Sequence, residues 1–347
     1  MIGVGVIGLG YWGPNLLRNF AESEGAALRA VCDLRADRLA MAAARYPGVT
    51  ATRDVSALLA DPSIDAVAIA TPVSTHFELA MAALNAGKHV LVEKPLAGAS
   101  EDGIRLIEEA DRRGLVLMVD HTFVYTGAVR KIAALVSSGE LGDIYYYDSV
   151  RVNLGLFQHD VNVIWDLAVH DLSILDHVLP QRPRAVSATG MSHVAGGHEN
   201  IAYLTLFFDN NLIAHIHVNW LAPVKIRRTL IGGSQRMIVY DDLEPSEKIK
   251  IYDKGITVSN NPATVYQMLV GYRAGDMWAP RLDVTEALRL EVAHFVECIE
   301  RGAPPSTDGH SGLRVVRLVE AASQSMEARG RLIELDAPTG AVVSGWA

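Results

Sequence analysis

The stretch that decides the fold is Val4-Gly5-Val6-Ile7-Gly8-Leu9-Gly10-Tyr11-Trp12-Gly13-Pro14-Asn15-Leu16-Leu17. A short apolar run ends in G-x-G-x-x-G, and a helical pattern opens directly after it. Gly8 permits a tight turn, Gly10 leaves the backbone bare to a pyrophosphate, and Gly13 lets the helix pack close to the strand. The helix N-terminus offers unpaired N–H groups and a partial positive charge. By itself the motif is a weak signal. The strand before it, the helix after it and an acid at the right distance strengthen it. That acid is Asp33, which closes the apolar run 28–32 twenty residues after Gly13. A carboxylate at this strand end accepts hydrogen bonds from an adenosine ribose and repels a 2′-phosphate, so the expected cofactor is NAD rather than NADP. Arg35 and Arg38 pull the other way, since an arginine here can hold a 2′-phosphate. Tyr11, Trp12 and Arg35 join the glycines and Asp33 as candidate cofactor contacts.

Outward from this turn, residues 1–120 alternate short apolar runs with helical patterns, as a parallel sheet covered by helices requires. Strands are expected at 3–8, 27–33, 66–70, 89–93 and 116–119, with helices near 14–23, 35–46, 54–60, 75–86 and 101–113. Ser100 is the expected N-cap of the last, and Thr75 of the helix before it. With 347 residues there is length for about two domains. A net charge of −9 argues against a nucleic-acid partner. No apolar run is long enough to cross a membrane, and the start at Met1 leads straight into a strand without a signal peptide. Cys32 and Cys298 lie inside apolar patterns and read as buried thiols of a reducing, cytoplasmic compartment.

Two more stretches fall where the carboxyl ends of the sheet should lie, the usual place for ligands in open α/β sheets. One is Ala70-Thr71-Pro72 with His76. The other is Gly87-Lys88-His89-Val90-Leu91-Val92-Glu93-Lys94-Pro95, a buried strand ending in an ion-pairable dipeptide before a proline. The Lys94–Pro95 bond is a candidate cis peptide. Together with the glycine-rich turn, these stretches resemble the Gfo/Idh/MocA family of oxidoreductases, and the Glu-Lys-Pro element is their more specific part. The resemblance extends to about residue 335. It implies that Thr71, Pro72, His76 and Glu93 border the cofactor, and that Lys94 lies beside the nicotinamide and the reacting hydroxyl.

After residue 120 the pattern becomes β-rich. A helix near 128–138 and a glycine turn precede strands at 144–152, 185–192, 201–208, 212–220, 228–231 and 236–240, with helices at 283–300 and 309–329. The expected fold is α/β: an N-terminal Rossmann doubly wound parallel sheet (1–120), then a C-terminal α+β domain with an open, mostly antiparallel sheet (121–335), then a tail (336–347). An uncovered sheet face rich in aromatics calls for burial, so a homodimer or homotetramer is expected. His215, His217 and Asn219 share one face of their strand, open to solvent or a partner subunit; a metal site there is the lesser reading, since no acidic or thiolate ligand accompanies them at useful spacing.

Residues 162–179 read as one helix, stopped by Pro180. Asp166 and His170, four apart, share a face that Ser173 and His177 continue, while Ala168, Leu172, Leu175 and Leu179 form an apolar stripe. A solvated i,i+4 pair is the bland alternative. Family members that act on sugars and cyclitols carry Asp-x-x-x-His on a helix over the nicotinamide, and the resemblance places Asp166 and His170 there. Histidine, with an unperturbed pKa of about 6.5, suits loss of an O–H proton as hydride leaves carbon. Asp166 would orient it and Lys94 would stabilise alkoxide charge. The sequence leaves open the alternative with Lys94 as base. Tyr125, Arg151, Asn153 and Tyr272 are the candidate substrate contacts. The stretches around Asn153, Asp166 and Tyr272 resemble members that act on nucleotide-linked sugars. Free inositols, aminocyclitols and a non-catalytic NAD-binding sensor are the other readings.

Overall fold

The computed structural model describes residues 1–155, 161–258 and 270–335. The chain opens with strands β1 (Ile2–Ile7), β2 (Ala26–Cys32), β3 (Thr50–Thr52), β4 (Ala66–Ile69), β5 (His89–Glu93) and β6 (Leu117–Asp120). Helices α1 (Gly13–Ala21), α2 (Ala36–Arg45), α3 (Val55–Ala60), α4 (His76–Asn85) and α5 (Ser100–Arg113) alternate with them. Then follow α6 (Gly127–Ser137), β7 (Ile144–Leu154), α7 (Val169–Val178), β8 (Ala185–Met191), β9 (Ile201–Phe207), β10 (Ile213–Asn219), β11 (Leu221–Gly233) and β12 (Met237–Asp241). The chain continues through β13 (Ile249–Tyr252), β14 (Gly255–Val258), β15 (Val270–Arg273), β16 (Met277–Trp278), α8 (Ala287–Arg301), α9 (Gly309–Glu327) and β17 (Ile333–Glu334).

Two compact units form. The first comprises residues 1–131, 172–177 and 282–317. Its sheet runs β3-β2-β1-β4-β5-β6, parallel throughout. This is the expected doubly wound sheet, with one short strand, β3, that the sequence pattern did not show. Every residue of β4 and the centre of β5 are buried, as strands covered on both faces by helices must be. The strand order reverses between β1 and β4, which opens the ligand crevice at their carboxyl ends. α5 begins with Ser100 as its first residue rather than its cap, and Ala99 holds the cap position. Its acidic first turn, basic last turn and left-handed Gly114 complete the helix.

This unit is not the simple block 1–120. Its core includes α8: Leu288, Val292 and Phe295 pack in one cluster with Leu16, Leu17 and Phe20 of α1. The Phe20 and Phe295 rings meet edge to face at 6.4 Å.

The second unit is made of the described residues within 132–171, 178–281 and 318–335. A nine-stranded sheet runs β16-β13-β12-β11-β7-β10-β9-β8-β17. Only the β7–β10 pair among these is parallel. That is the open, mostly antiparallel sheet expected. The period-two alternation is plain in β9 and β10, where Ala202, Leu204, Leu206, Ala214, Ile216 and Val218 are buried while Tyr203, Phe207 and His215 face outward. β14 and β15 make a separate hairpin. The strands β13 to β17 were not anticipated, being short. The tail 336–347 lies outside the described residues.

Candidate active site

The glycine turn has the geometry its residues demand. Gly8 sits at φ +93°, and a Cβ there would stand 2.6 Å from the Ala70 carbonyl oxygen. At Gly13 a Cβ would fall 2.0 Å from the Gly8 carbonyl oxygen, so only glycine lets α1 start this close. Gly10 is the opposite case: a Cβ would meet nothing within 4 Å. The turn therefore presents bare backbone outward at Gly10, and no side chain caps α1. Both features fit a pyrophosphate. Tyr11 beside it is 91% exposed.

Asp33 holds this turn from the end of β2. One carboxylate oxygen accepts from Leu9 N at 2.6 Å and the other from Arg35 N at 2.8 Å. A carboxylate has about four acceptor sites, so capacity for a ribose is left on each oxygen. The Arg35 guanidinium is turned to Asp37 at 2.6 Å.

The loops after β4 and β5 are tied together by His76. Its ring is fully buried, with Nε2 2.9 Å from the Thr71 carbonyl and Nδ1 2.8 Å from the Pro95 carbonyl. Burial pushes the imidazole below the usual histidine range, against the two carbonyls, which favour its charged form. His76 is thus a strut behind the crevice rather than an exposed contact. Thr75 does precede α4, but its hydroxyl lies 2.7 Å from Thr71 Oγ1 and 2.8 Å from the Pro72 carbonyl, and caps nothing. Pro72 is exposed and Thr71 half-buried. Glu93 and Lys94 are half-buried at the end of β5, and the Lys94–Pro95 bond is cis.

In the second unit, Asp166 lies in a π-helical turn, Ile164–Ala168, that runs into α7. The four-residue spacing to His170 was argued for an α-helix, and the wider turn replaces that argument with a different one. π-turns widen the backbone and recur at functional sites. Asp166 Oδ2 accepts from the Trp220 indole at 2.9 Å, and Trp220 is 1% exposed. Local sequence does not reveal this partner, because Trp220 is 54 positions away. Asp166 and His170 are both half-buried. The expected polar stripe does not continue outward, since Ser173 is buried along with Leu172, Leu175 and Leu179.

Arg151 and Asp171 form an ion pair, Nε to Oδ2 2.6 Å, with both side chains under 5% exposed. Ser149 donates to Asp171 Oδ1 at 2.6 Å. This clamp fixes the residue next to His170 to β7. Arg151 is therefore committed to the interior rather than presented to a substrate. Tyr125 is likewise buried, its hydroxyl 3.2 Å from Thr307 Oγ1, and burial pushes its phenol well above the usual range. Asn153 is half-buried on β7. Tyr272 lies on β15, and its side chain is outside what the structure describes. Among the described residues no group of three or more His, Cys, Asp or Glu is arranged to hold a metal ion, and no helix is long and apolar enough to cross a membrane. Cys32 and Cys298 are buried free thiols, as expected.

Comparison with known proteins agrees with this geometry. Residues 2–121 match the family model described as oxidoreductase family, NAD-binding Rossmann fold. Residues 129–239 match the Gfo/Idh/MocA C-terminal domain. A UDP-N-acetylglucosamine 3-dehydrogenase from Acidithiobacillus ferrooxidans is 31% identical over 317 residues, covering 90% of this chain and 93% of that protein. A solved structure of that enzyme superposes with TM-score 0.80 at 29% identity, covering 94% of this chain and 99% of the other. A myo-inositol 2-dehydrogenase from Thermotoga maritima is 26% identical, covering 97% of this chain and 99% of its own. A protein of gentamicin A biosynthesis, solved with NAD, shares the fold at 24% identity and TM-score 0.81, covering 97% of each chain. The chain belongs to the Gfo/Idh/MocA family of NAD(P)-dependent oxidoreductases.

Proposed function

We propose that this oxidoreductase transfers a hydride between NAD and a secondary alcohol of a sugar, namely C3 of a nucleotide-linked sugar. The observation that carries the reading is the 31% identity with a UDP-N-acetylglucosamine 3-dehydrogenase along nine-tenths of the chain, joined to the presence of Lys94, Asp166 and His170. The nicotinamide supplies the hydride acceptor or donor. His170 takes the hydroxyl proton, oriented by an Asp166 that Trp220 holds in place, and Lys94 stabilises negative charge on the oxygen. Asn153 and Tyr272 are assigned to substrate binding. The match to a myo-inositol 2-dehydrogenase over nearly the full length favours free cyclitols as the second reading. Following NADH formation with UDP-sugars, dTDP-sugars and inositols separates the two. Turnover with inositols alone would overturn the first, and tight NAD binding without turnover of any of them would overturn both.

Asp33 gives the cofactor preference. Its carboxylate, beside the glycine turn, keeps acceptor capacity for a ribose, and Arg35 is engaged by Asp37. NAD is expected to bind at least about tenfold tighter than NADP, a difference of about 1.4 kcal/mol, measured by protein fluorescence. Equal affinities would show that arginines, not Asp33, set the preference.

The outward face of the nine-stranded sheet bears Tyr203, stacked on His217 at 4.3 Å, with Phe207 also exposed. Such a face supports a homodimer or homotetramer joined through it. Light scattering should give a multiple of 37.5 kDa, and a monomer mass at micromolar concentration would refute the assignment.

A further inference from the structure

Behind the glycine turn, and unused by the chemistry above, lie two buried carboxyl groups. Asp120 ends β6 and is 2% exposed, and Glu291 on α8 is 0% exposed. Asp120 accepts from the Trp12 indole at 2.7 Å and from the Thr122 hydroxyl. Neither Glu291 oxygen completes a hydrogen bond among the described residues, and the Thr122 hydroxyl, which would favour its ionised form, is already given to Asp120. As an acid, it is within hydrogen-bonding reach of Asp120. Two adjacent carboxylates out of water would repel each other and forfeit their solvation. One proton held between them removes both costs.

The neighbours do not supply the missing charge to Glu291. Burial raises the Asp120 carboxyl as well, but the Thr122 and Trp12 donors and the charge of Lys94 all favour its ionised form. Glu93 faces Glu291 and opposes ionisation there. His121, beside Asp120 in sequence, is fully buried and pushed down to about 4, so it is neutral, with Asp176 facing it. The Tyr125 phenol, held neutral by burial, faces both acids and Cys298, and its ring lies 5.7 Å from that of His294. Asp120 is therefore the acceptor and Glu291 the proton bearer.

Trp12 occupies the cap position of α1, between Gly10 and Gly13. Its indole is the link from the glycine turn to the end of β6. We propose that Asp120 and Glu291 form one proton-sharing unit that positions Trp12, and through it the turn from Gly8 to Gly13, for dinucleotide binding. The proposal rests on the dinucleotide-binding role of this turn and is independent of which alcohol is oxidised. Glu291 is a positioning residue, not a catalytic one.

The sign of the pH effect follows. Burial, then Asp120, raises the Glu291 carboxyl well above the usual glutamate range. The folded chain keeps this proton where an unfolded chain has lost it. The stabilisation is complete below the ordinary glutamate range and is lost as pH rises through the raised value. Loss of the proton places a second charge beside Asp120 and disturbs its hold on Trp12.

The test is calorimetric titration of the full chain with NAD from pH 6 to 9.5. Wild type should lose affinity at the alkaline end, by up to about tenfold per pH unit above the ionisation. Glu291→Gln, whose amide donates the same bond without a proton to lose, should match wild type at pH 6 and keep its affinity at pH 9.5. Trp12→Phe, which lacks the indole N–H, should bind more weakly at pH 6 and show a smaller alkaline loss. A Glu291→Gln profile that falls as wild type does, or a flat wild-type profile, overturns the proposal alone. Absence of NAD binding at every pH would overturn the dinucleotide role and the proposal with it.

Discussion

Replacing His170 with alanine is expected to lower turnover about 10²–10⁴-fold, the usual range for a positioned acid–base group, while NAD affinity changes little. The residues proposed to hold the cofactor, the Gly10 backbone and Asp33, belong to a different compact unit from His170. Lys94→Ala should cause a comparable loss. If the two side chains serve one hydroxyl, the double variant should lose little more than the worse single one, since groups acting as a unit are not additive. Asp166→Asn should be impaired less: its amide oxygen can still accept from Trp220, but it stabilises an imidazolium poorly. The rate should fall on the acid side as the imidazole takes up a proton. Single-turnover kinetics with saturating NAD reads this directly. Near-full turnover by His170→Ala with an unchanged pH profile would remove His170 as the base and leave Lys94.

Asp171→Leu is expected to destabilise the chain by about 3–5 kcal/mol, because it strands a buried guanidinium. Arg151 is only 3% exposed, so it cannot turn to water without moving β7. The double variant Arg151→Met/Asp171→Leu should recover most of that loss, since apolar groups of similar size can replace a buried pair at little cost. Urea unfolding of wild type, single and double variants makes the comparison, with unchanged m-values as the check that the midpoint shift is a stability change. A single variant within about 1 kcal/mol of wild type would show that the pair is not needed to hold β7 against the start of α7.

These two experiments probe parts that differed in legibility. The glycine turn, Asp33 and the Glu93-Lys94-Pro95 strand end could be read in sequence because each is local: a few adjacent residue types dictate a turn, a strand and a ligand position. Asp166 and His170 stand out in sequence as a candidate pair, but their setting does not. A periodic pattern cannot display the extra residue of a π-turn, nor an indole that arrives from β10's far end. Arg151 is a candidate substrate contact by its place in sequence, between the first strand of the second domain and the helix of Asp166 and His170. Its parity was the neglected signal: Tyr147, Ser149 and Arg151 share one side of β7 by period two, all three are buried, and a charge on that side requires a partner. Tyr125 is likewise buried, a polar tip on a ring that belongs to the core. The role of α8 was hidden because packing against α1 joins residues nearly three hundred positions apart.

That last feature bears on how the protein is made. Leu288, Val292 and Phe295 complete the core around Phe20, and Glu291 on the same helix reaches Asp120. On the ribosome, the nucleotide-binding sheet emerges first but stays unfinished until residues 282–317 have left the exit tunnel. Through most of synthesis the nascent sheet carries an uncovered apolar strip on α1, the kind of surface that chaperones shield. Excision of residues 1–120 as a portable cofactor-binding module would freeze the chain in that unfinished state, so a minimal module must carry the α8 segment with it.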